Sequence, residues 1–373
     1  MKEILEKAAL QLEAKLPFVV YRQPKSTRLQ AFFMKDASSI SVDFSQAGFC
    51  FFPFDDTQKN YFFPLLNADY FSTQIIKNDI NTLFNESDTS LKETLENETE
   101  KRSYIQLLAE SIHFLKQGDY QKIVLSRPIR FPYKAQNAMQ TFQRLLYRYK
   151  EAMVYIWYHP KEGIWMGASP ETLVQYRSSQ LQTMALAGTR KFQEKEDVLW
   201  QEKEKEEQEL VSQYIQKKLS AYTSHLKISE TYNKQAGNLV HLNTDISARI
   251  QPSAIEKVIL DLHPTPAVCG LPTEKAKRYI LENEAYDREF YAGFLGEINL
   301  PKERNRATSK RNQEALAIKH RTNETHLYVN LRCMKIENHI GQLFVGGGVT
   351  AASNPTDEWI ETREKSQTLL NVL

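Results

Sequence analysis

Between residues 152 and 186, three β-patterned runs follow one another with almost no chain between them: "AMVYIWYHP", "GIWMGAS" and "TLVQYRSSQLQTMAL", the last folding back at Ser178-Ser179. Strands joined so tightly pair antiparallel, because a parallel crossover needs a dozen residues or more. Two more strands are expected around "LYVNLRCMKI" and "GQLFVGGGVTA", separated by the turn "ENHIG". Leu107, Leu108, Ile112 and Leu115 mark a helix from Tyr104 that Gly118 ends; a long charged helix is expected from about Glu194 to Tyr222, and a last one from about Thr356 to Leu370. Strands and helices cluster without βαβ alternation, which favours α+β over a doubly wound sheet.

The chain has 373 residues, 41% hydrophobic and 25% charged, with a formal net charge of +2, a balance that argues against a dedicated nucleic-acid binder. Its start, "MKEILEKAALQLEAKLPFVVYRQ", is a charged amphipathic run unlike a signal peptide, and no apolar run is long enough to span a bilayer. Cys50, Cys269 and Cys333 make no CxxC pair, so a reducing cytoplasm is the simplest setting. The first hundred residues carry the aromatic runs "FCFFPF" and "YFFPLL" and close with the polar stretch "NESDTSLKETLENETEK", the best linker candidate. The basic segment 301–324 reads either as a solvated loop or as a site for an anionic partner.

Several side chains are candidates for chemistry. Lys122 opens the strand "KIVLSRPIRF", where it is either a solvated charge or a positioned base. Glu204 and Glu207 are three residues apart, as are Glu358 and Glu361, with Lys365 four beyond. On helices each pair shares a face: two solvated faces, or four carboxylates that would repel unless a hard cation such as Mg²⁺ neutralised them. Gly346, Gly347 and Gly348 imply close approach of backbone or ligand, and with Arg332 they can face an anion; a structural bend is the alternative. His263, before a double-proline loop, is either structural or catalytic. Glu171, after a Ser-Pro turn, can serve as an acid if burial raises its pKa. "ALAGTR", with Gly188 and Thr189, ends a strand in a small-residue turn.

Taken in order, "KIVLSR", "GASPETL", "ALAGTR", "KEKEEQELV", "HLNTDI", "HPTPAVCGLP", "REFYAGFLGEI", "VNLRC" and "GGGVTAASNPTDEWIETREK" resemble the chorismate-utilising enzymes. That family includes isochorismate, salicylate and anthranilate synthases and aminodeoxychorismate synthases. The matches run from about residue 105 to the end, with residues 1–100 a divergent part of what is expected to be a single enzyme domain, 1–373.

The resemblance implies an α+β fold of two large stacked antiparallel sheets with outer helices, Mg²⁺ as cofactor and chorismate as substrate. It implies Glu207 and Glu361 as metal ligands with Glu204 and Glu358 close by. Arg332, Tyr291 and Lys365 would hold the substrate carboxylates, with the Gly188–Thr189 and Gly346–Gly348 backbone, and His263 would sit near the ring. Members that add water resemble this chain in carrying lysine at position 122, which would be the general base, with Glu171 the acid. The implied activity is an isochorismate synthase for menaquinone or a catecholate siderophore, needing no glutaminase subunit; a salicylate synthase and a non-catalytic subunit are the alternatives. Gln208 departs from the pattern, where histidine is common.

Overall fold

The computed structural model describes residues 1–75, 97–192, 198–237, 239–305 and 319–373. Two nine-stranded sheets form its body. In the first the strands, numbered along the chain, lie in the order β14 (Gly270–Leu271), β6 (Lys122–Pro132), β18 (Ile340–Val349), β17 (Cys333–Glu337), β8 (Gly163–Ser169), β7 (Met153–His159), β1 (Phe18–Arg22), β2 (Arg28–Met34) and β5 (Ala68–Gln74). The second runs β11 (Leu226–Ile228), β13 (Leu239–Arg249), β10 (Gln180–Lys191), β9 (Thr172–Arg177), β16 (Lys319–Val329), β15 (Phe294–Asn305), β3 (Gly48–Phe52) and β4 (Tyr61–Pro64), with β12 (Tyr232–Ala236) also paired to β13. Pairing among the described strands is antiparallel throughout; short turns give β7–β8 and β9–β10, while β8 and β9, expected to pair across their two-residue connection, belong to different sheets. At the β9–β10 turn Ser178 and Ser179 both have positive φ, 49° and 64°, which matches the twist of a two-residue hairpin.

The sheets face each other across an aromatic core. Phe51 of β3 stacks on Phe290 at 4.3 Å and meets Trp157 of β7 at 4.8 Å. Along β7, Tyr155 and Trp157 enter this core while Val154 and Ile156 enter a second one, beneath α1 (Lys2–Glu13) and α3 (Ala138–Arg148). With both faces covered, such strands read as unbroken apolar runs rather than alternating ones. The N-terminal aromatic runs supply β3 and β4, so the first 75 residues contribute strands to both sheets. No helix among the described residues is long and apolar enough to cross a membrane.

The structure revises several expected boundaries. The helix expected from Tyr104 begins earlier, as α2 (Glu98–Leu115), because the Asn97 side chain accepts from the Thr99 amide as its cap. Most of the proposed linker lies outside the described residues. The long charged helix is α4 (Glu202–Ser220), opened by a capping box between Gln201 and Glu204; described residues 198–201 are not helical, and 193–197 lie outside the described residues. The last helix, here α7 (Pro355–Leu370), is capped by Asn354. In the basic segment, residues 301–305 and 319–324 extend the β15–β16 ladder rather than forming a loop, and 306–318 lie outside the described residues.

The largest difference is in "LYVNLRCMKI", which is two strands in different sheets. β16 ends at Val329 in the second sheet and β17 starts at Cys333 in the first. Buried Asn330 pins the crossing by donating to the Phe290 carbonyl and accepting from the Tyr155 hydroxyl at 2.6 Å. Arg332, in the left-handed region at φ 49°, turns the chain there.

Candidate active site

A cavity lies where the sheets meet the helices α4 and α7. Its walls include Glu171, Gly188, Thr189, Glu207, His241, Tyr291, Arg332, Gly346, Gly347, Gly348 and Lys365. Two strand ends bring Lys122 and the glycines together, since β18 pairs with β6 so that Gly348 lies opposite Val124. Fully buried Arg288 holds this corner: it donates to the Val124 and Val268 carbonyls and pairs with buried Glu284.

Lys122 has no solvent exposure, which excludes the solvated-charge reading. Its Nζ lies 2.7 Å from Glu207 Oε1, an ion pair inside the protein. Burial pushes the Glu207 carboxyl up, and Lys122, Lys365 and Lys203 outweigh it and hold it below the usual range. Gly348 makes this possible. A Cβ there would stand 2.6 Å from Lys122 Cε and closer still to Glu207 Oε1.

Three of the four helix carboxylates converge on the glycine strand. A Cβ at Gly347 would stand 3.3 Å from Glu358 Oε2 and 3.4 Å from Glu361 Oε1. Among the described residues no three acidic, histidine or cysteine side chains stand in a metal-binding arrangement. Instead each of these carboxylates has a lysine: Glu207 has Lys122, Glu358 has Lys203, and Glu361 has Lys365 at 2.6 Å. Buried Glu358 keeps one oxygen, Oε2, with no hydrogen-bond partner, and burial with the neighbouring Glu361 raises its pKa. Glu204 is placed apart from the other three, since it caps α4 at the Gln201 amide and accepts from Arg190 at 2.9 Å.

Glu171 follows β8 and precedes β9, buried at 3% exposure. Burial lifts its pKa to about 7, against the pull of Lys122, Lys234 and Lys365, so near neutrality a substantial fraction of it carries a proton. Lys365 also donates to the Gly346 carbonyl at 2.9 Å. Tyr291 stacks on Phe344 at 5.3 Å, and burial raises its hydroxyl's pKa. Arg332 is tied to Thr368 Oγ1 at 2.9 Å.

His263 is not part of the cavity. Its ring packs edge-on against Phe52 and Phe294, Nε2 bonds the Pro53 carbonyl at 2.9 Å, and burial lowers its pKa to about 4. The histidine on the cavity wall is His241, in "VHL" of β13, a residue to which the sequence reading gave no role. Its Nδ1 lies 2.8 Å from the Gly188 carbonyl, which only accepts, so Nδ1 carries the proton and Nε2 faces Arg332. Burial, then Arg332, lowers its pKa to about 3 and keeps it neutral. Gln208 donates to Thr244 Oγ1 at 2.6 Å.

A carboxyl with a raised pKa and the cations Arg332 and Lys365 around one small cavity, with buried Lys122 behind the wall residue Glu207, mark a site for a small anionic molecule. Comparison with known proteins is specific. The family model described as chorismate binding enzyme matches residues 65–305, and a second model of the same description matches 315–371. The chain is similar to the isochorismate synthase EntC of Escherichia coli (strain K12), 30% identical over 287 residues that cover 73% of this chain and 67% of that protein. It is 30% identical to the salicylate biosynthesis isochorismate synthase of Pseudomonas aeruginosa, over 70% of this chain and 53% of that one. In fold it matches MenF, the menaquinone-specific isochorismate synthase from Escherichia coli, with a TM-score of 0.73 at 21% identity, covering 95% of this chain and 88% of that one. The chain belongs to the chorismate binding enzyme family.

Proposed function

We propose that this chain is an isochorismate synthase, adding water at C2 of chorismate as the C4 hydroxyl leaves. The observation that carries the reading is a buried lysine on β6, paired with Glu207 of the cavity wall, together with a second wall carboxyl, Glu171, whose pKa burial raises to about 7. As base, Lys122 acts as the neutral amine, after the ammonium of its pair with Glu207 has given up a proton, and takes a proton from the attacking water while the new C–O bond forms at C2. The ring double bond shifts, the C4–O bond breaks, and Glu171 passes its proton to the departing oxygen, so one water enters and one leaves. Arg332, Tyr291 and Lys365 would hold the two substrate carboxylates, with Arg332 oriented through neutral His241.

The donor chemistry also suits a divalent cation, although the three carboxylates are paired with lysines here rather than gathered around one point. Glu207, Glu358 and Glu361 offer hard oxygen donors around the glycines of β18, and Glu358 Oε2 is buried without a hydrogen-bond partner. These three would hold Mg²⁺, which when bound would neutralise the acidic cluster and anchor a substrate carboxylate. Because the attacking group is water, no glutaminase partner is required. A cytoplasmic setting is part of the same reading, as all three cysteines are free and buried. Incubation with chorismate and Mg²⁺ followed by chromatography tests the proposal. Isochorismate approaching equilibrium with chorismate is expected; stoichiometric pyruvate and salicylate above the no-enzyme control would make this a salicylate synthase, and no consumption of chorismate would refute both.

A further inference from the structure

Three lysines act on the charge of Glu171: Lys122, Lys234 and Lys365. Two are committed, Lys122 to Glu207 and Lys365 to Glu361. Lys234, on β12, differs from them. Its ammonium donates to the thioether sulfur of Met184 at 3.1 Å, a weak acceptor that supplies no counter-charge, and it is in no carboxylate ion pair among the described residues.

The sheet turns this cation toward the face that carries the cavity, although neither Lys234 nor Met184 is itself a wall residue. Lys234 lies opposite His241 in the β12–β13 register, and residues opposite one another in an antiparallel pair project to the same face. His241 is on the cavity wall with Glu171. Met184, which receives the ammonium, is two residues before Leu186 on β10 and so shares its face, and Leu186 is a wall residue too. Burial draws the Lys234 pKa down, Asp245, Glu171 and Glu151 draw it up, and Lys25 opposes them.

We propose that Lys234 is a positioning residue for the acid step, the counter-ion of the carboxylate that Glu171 becomes when it gives up its proton. The inference rests on the reaction proposed above. In that step the Glu171 O–H bond breaks, the proton ends on the departing hydroxyl oxygen, and a negative charge stays on a buried carboxylate. An uncompensated charge there is costly. The groups facing Glu171 are Lys122 from β6, Lys365 from α7, Lys234 from β12 and the Thr265 hydroxyl, with His241, Arg332, Tyr291 and Glu207 on the same walls. Among the three lysines, Lys234 alone is in no carboxylate ion pair among the described residues, and the carboxylate that acts on it most strongly, ahead of Glu171, is Asp245, opposite Met184.

The test titrates Glu171 directly in the free protein, by its protonated carboxyl band in infrared difference spectra, identified by its absence in Glu171→Gln. Parent, Lys234→Met and Lys234→Arg are compared, with the pH profile of kcat/KM for chorismate measured in the same proteins. Lys234→Met is expected to move the midpoint and the alkaline limb upward by about 0.5 unit or more and to lower kcat several-fold. Lys234→Arg is expected to keep both near the parent. A packing defect would lower turnover at every pH and leave the midpoint in place, so an unmoved midpoint in Lys234→Met overturns the counter-ion role even if activity falls. If the parent consumes no chorismate, the reaction reading fails and the catalytic role of Lys234 falls with it; if chorismate is consumed and the midpoint is unmoved, only Lys234 falls.

Discussion

Gly348→Ala separates the presence of the catalytic groups from their placement. Gly348 sits in β18 without positive φ, so alanine suits its backbone, and the loss of unfolded-state freedom, about 0.4–1 kcal/mol, offsets part of the cost of crowding the added methyl against its neighbours. The new methyl carbon meets only side-chain ends, Lys122 Cε at 2.6 Å and Glu207 Oε1 closer still. Ordinary contact begins at 3.4 Å, so Lys122 must retreat by about 0.8 Å and Glu207 by more. A misplacement of about 1 Å costs roughly 100-fold in rate, or about 2.7 kcal/mol of transition-state stabilisation. The expected result is a protein with parent-like circular dichroism, a Tm within a few degrees of the parent, and kcat for chorismate down about 100-fold. Retention of kcat within about threefold of the parent, with the fold intact, would refute the claim that the glycine is there to let Lys122 and Glu207 meet.

Other predictions follow from the same site. Lys122→Ala should lower kcat by about 10²–10⁴-fold, and unchanged turnover would remove the lysine from the role of base. Glu171 has a folded pKa of about 7, above the ordinary carboxyl value, so the folded state binds the extra proton and this group's contribution to stability is lost as pH rises from about 4.5 to 7. Glu171→Gln, which never ionises, should therefore be more stable than the parent by about 3 kcal/mol at pH 8 and no more stable at pH 4, as read by denaturant unfolding at both pH values. The parent's kcat/KM should fall as pH rises through about 7, where the acid loses its proton; a profile flat across that range would exclude Glu171 as the acid. EDTA should remove activity and Mg²⁺ restore it, with Glu361→Gln needing much more Mg²⁺; full activity in EDTA would refute the metal assignment.

The antiparallel character of the fold was legible because it depends on neighbours along the chain. β7 and β8, three residues apart, and β9 and β10, two apart with a serine pair as the turn, do pair this way, whereas β8 and β9, also two residues apart, lie in different sheets and do not pair. The i, i+3 glutamates of α4 and α7 were legible for the same reason, because helical spacing puts them on one face. What the sequence left open was which of those faces meet. Glu204 and Glu207 have the same spacing as Glu358 and Glu361, yet Glu204 caps its helix and binds Arg190 while the other three converge on Gly347 and Gly348.

Histidine shows the limit most clearly. His263 had the more conspicuous context and packs among phenylalanines, whereas His241, in an ordinary strand, faces the cavity because β13 pairs with β10 and brings it to the Gly188 carbonyl. The crossing at Asn330–Arg332 was hidden within what reads as one continuous strand, since both halves are apolar and only the long-range pairing of β16 and β17 assigns them to different sheets. The lysines were visible as charges but not as partners. Lys122, Lys203 and Lys365 each have a carboxylate and Lys234 has a thioether, a distinction made by side chains that come together from β6, α4, α7 and β10. Local spacing was enough to place these residues on strands and helices. Burial and charge pairing, which determine their chemistry, depend on contacts between segments far apart in the chain, and those only the tertiary structure decided.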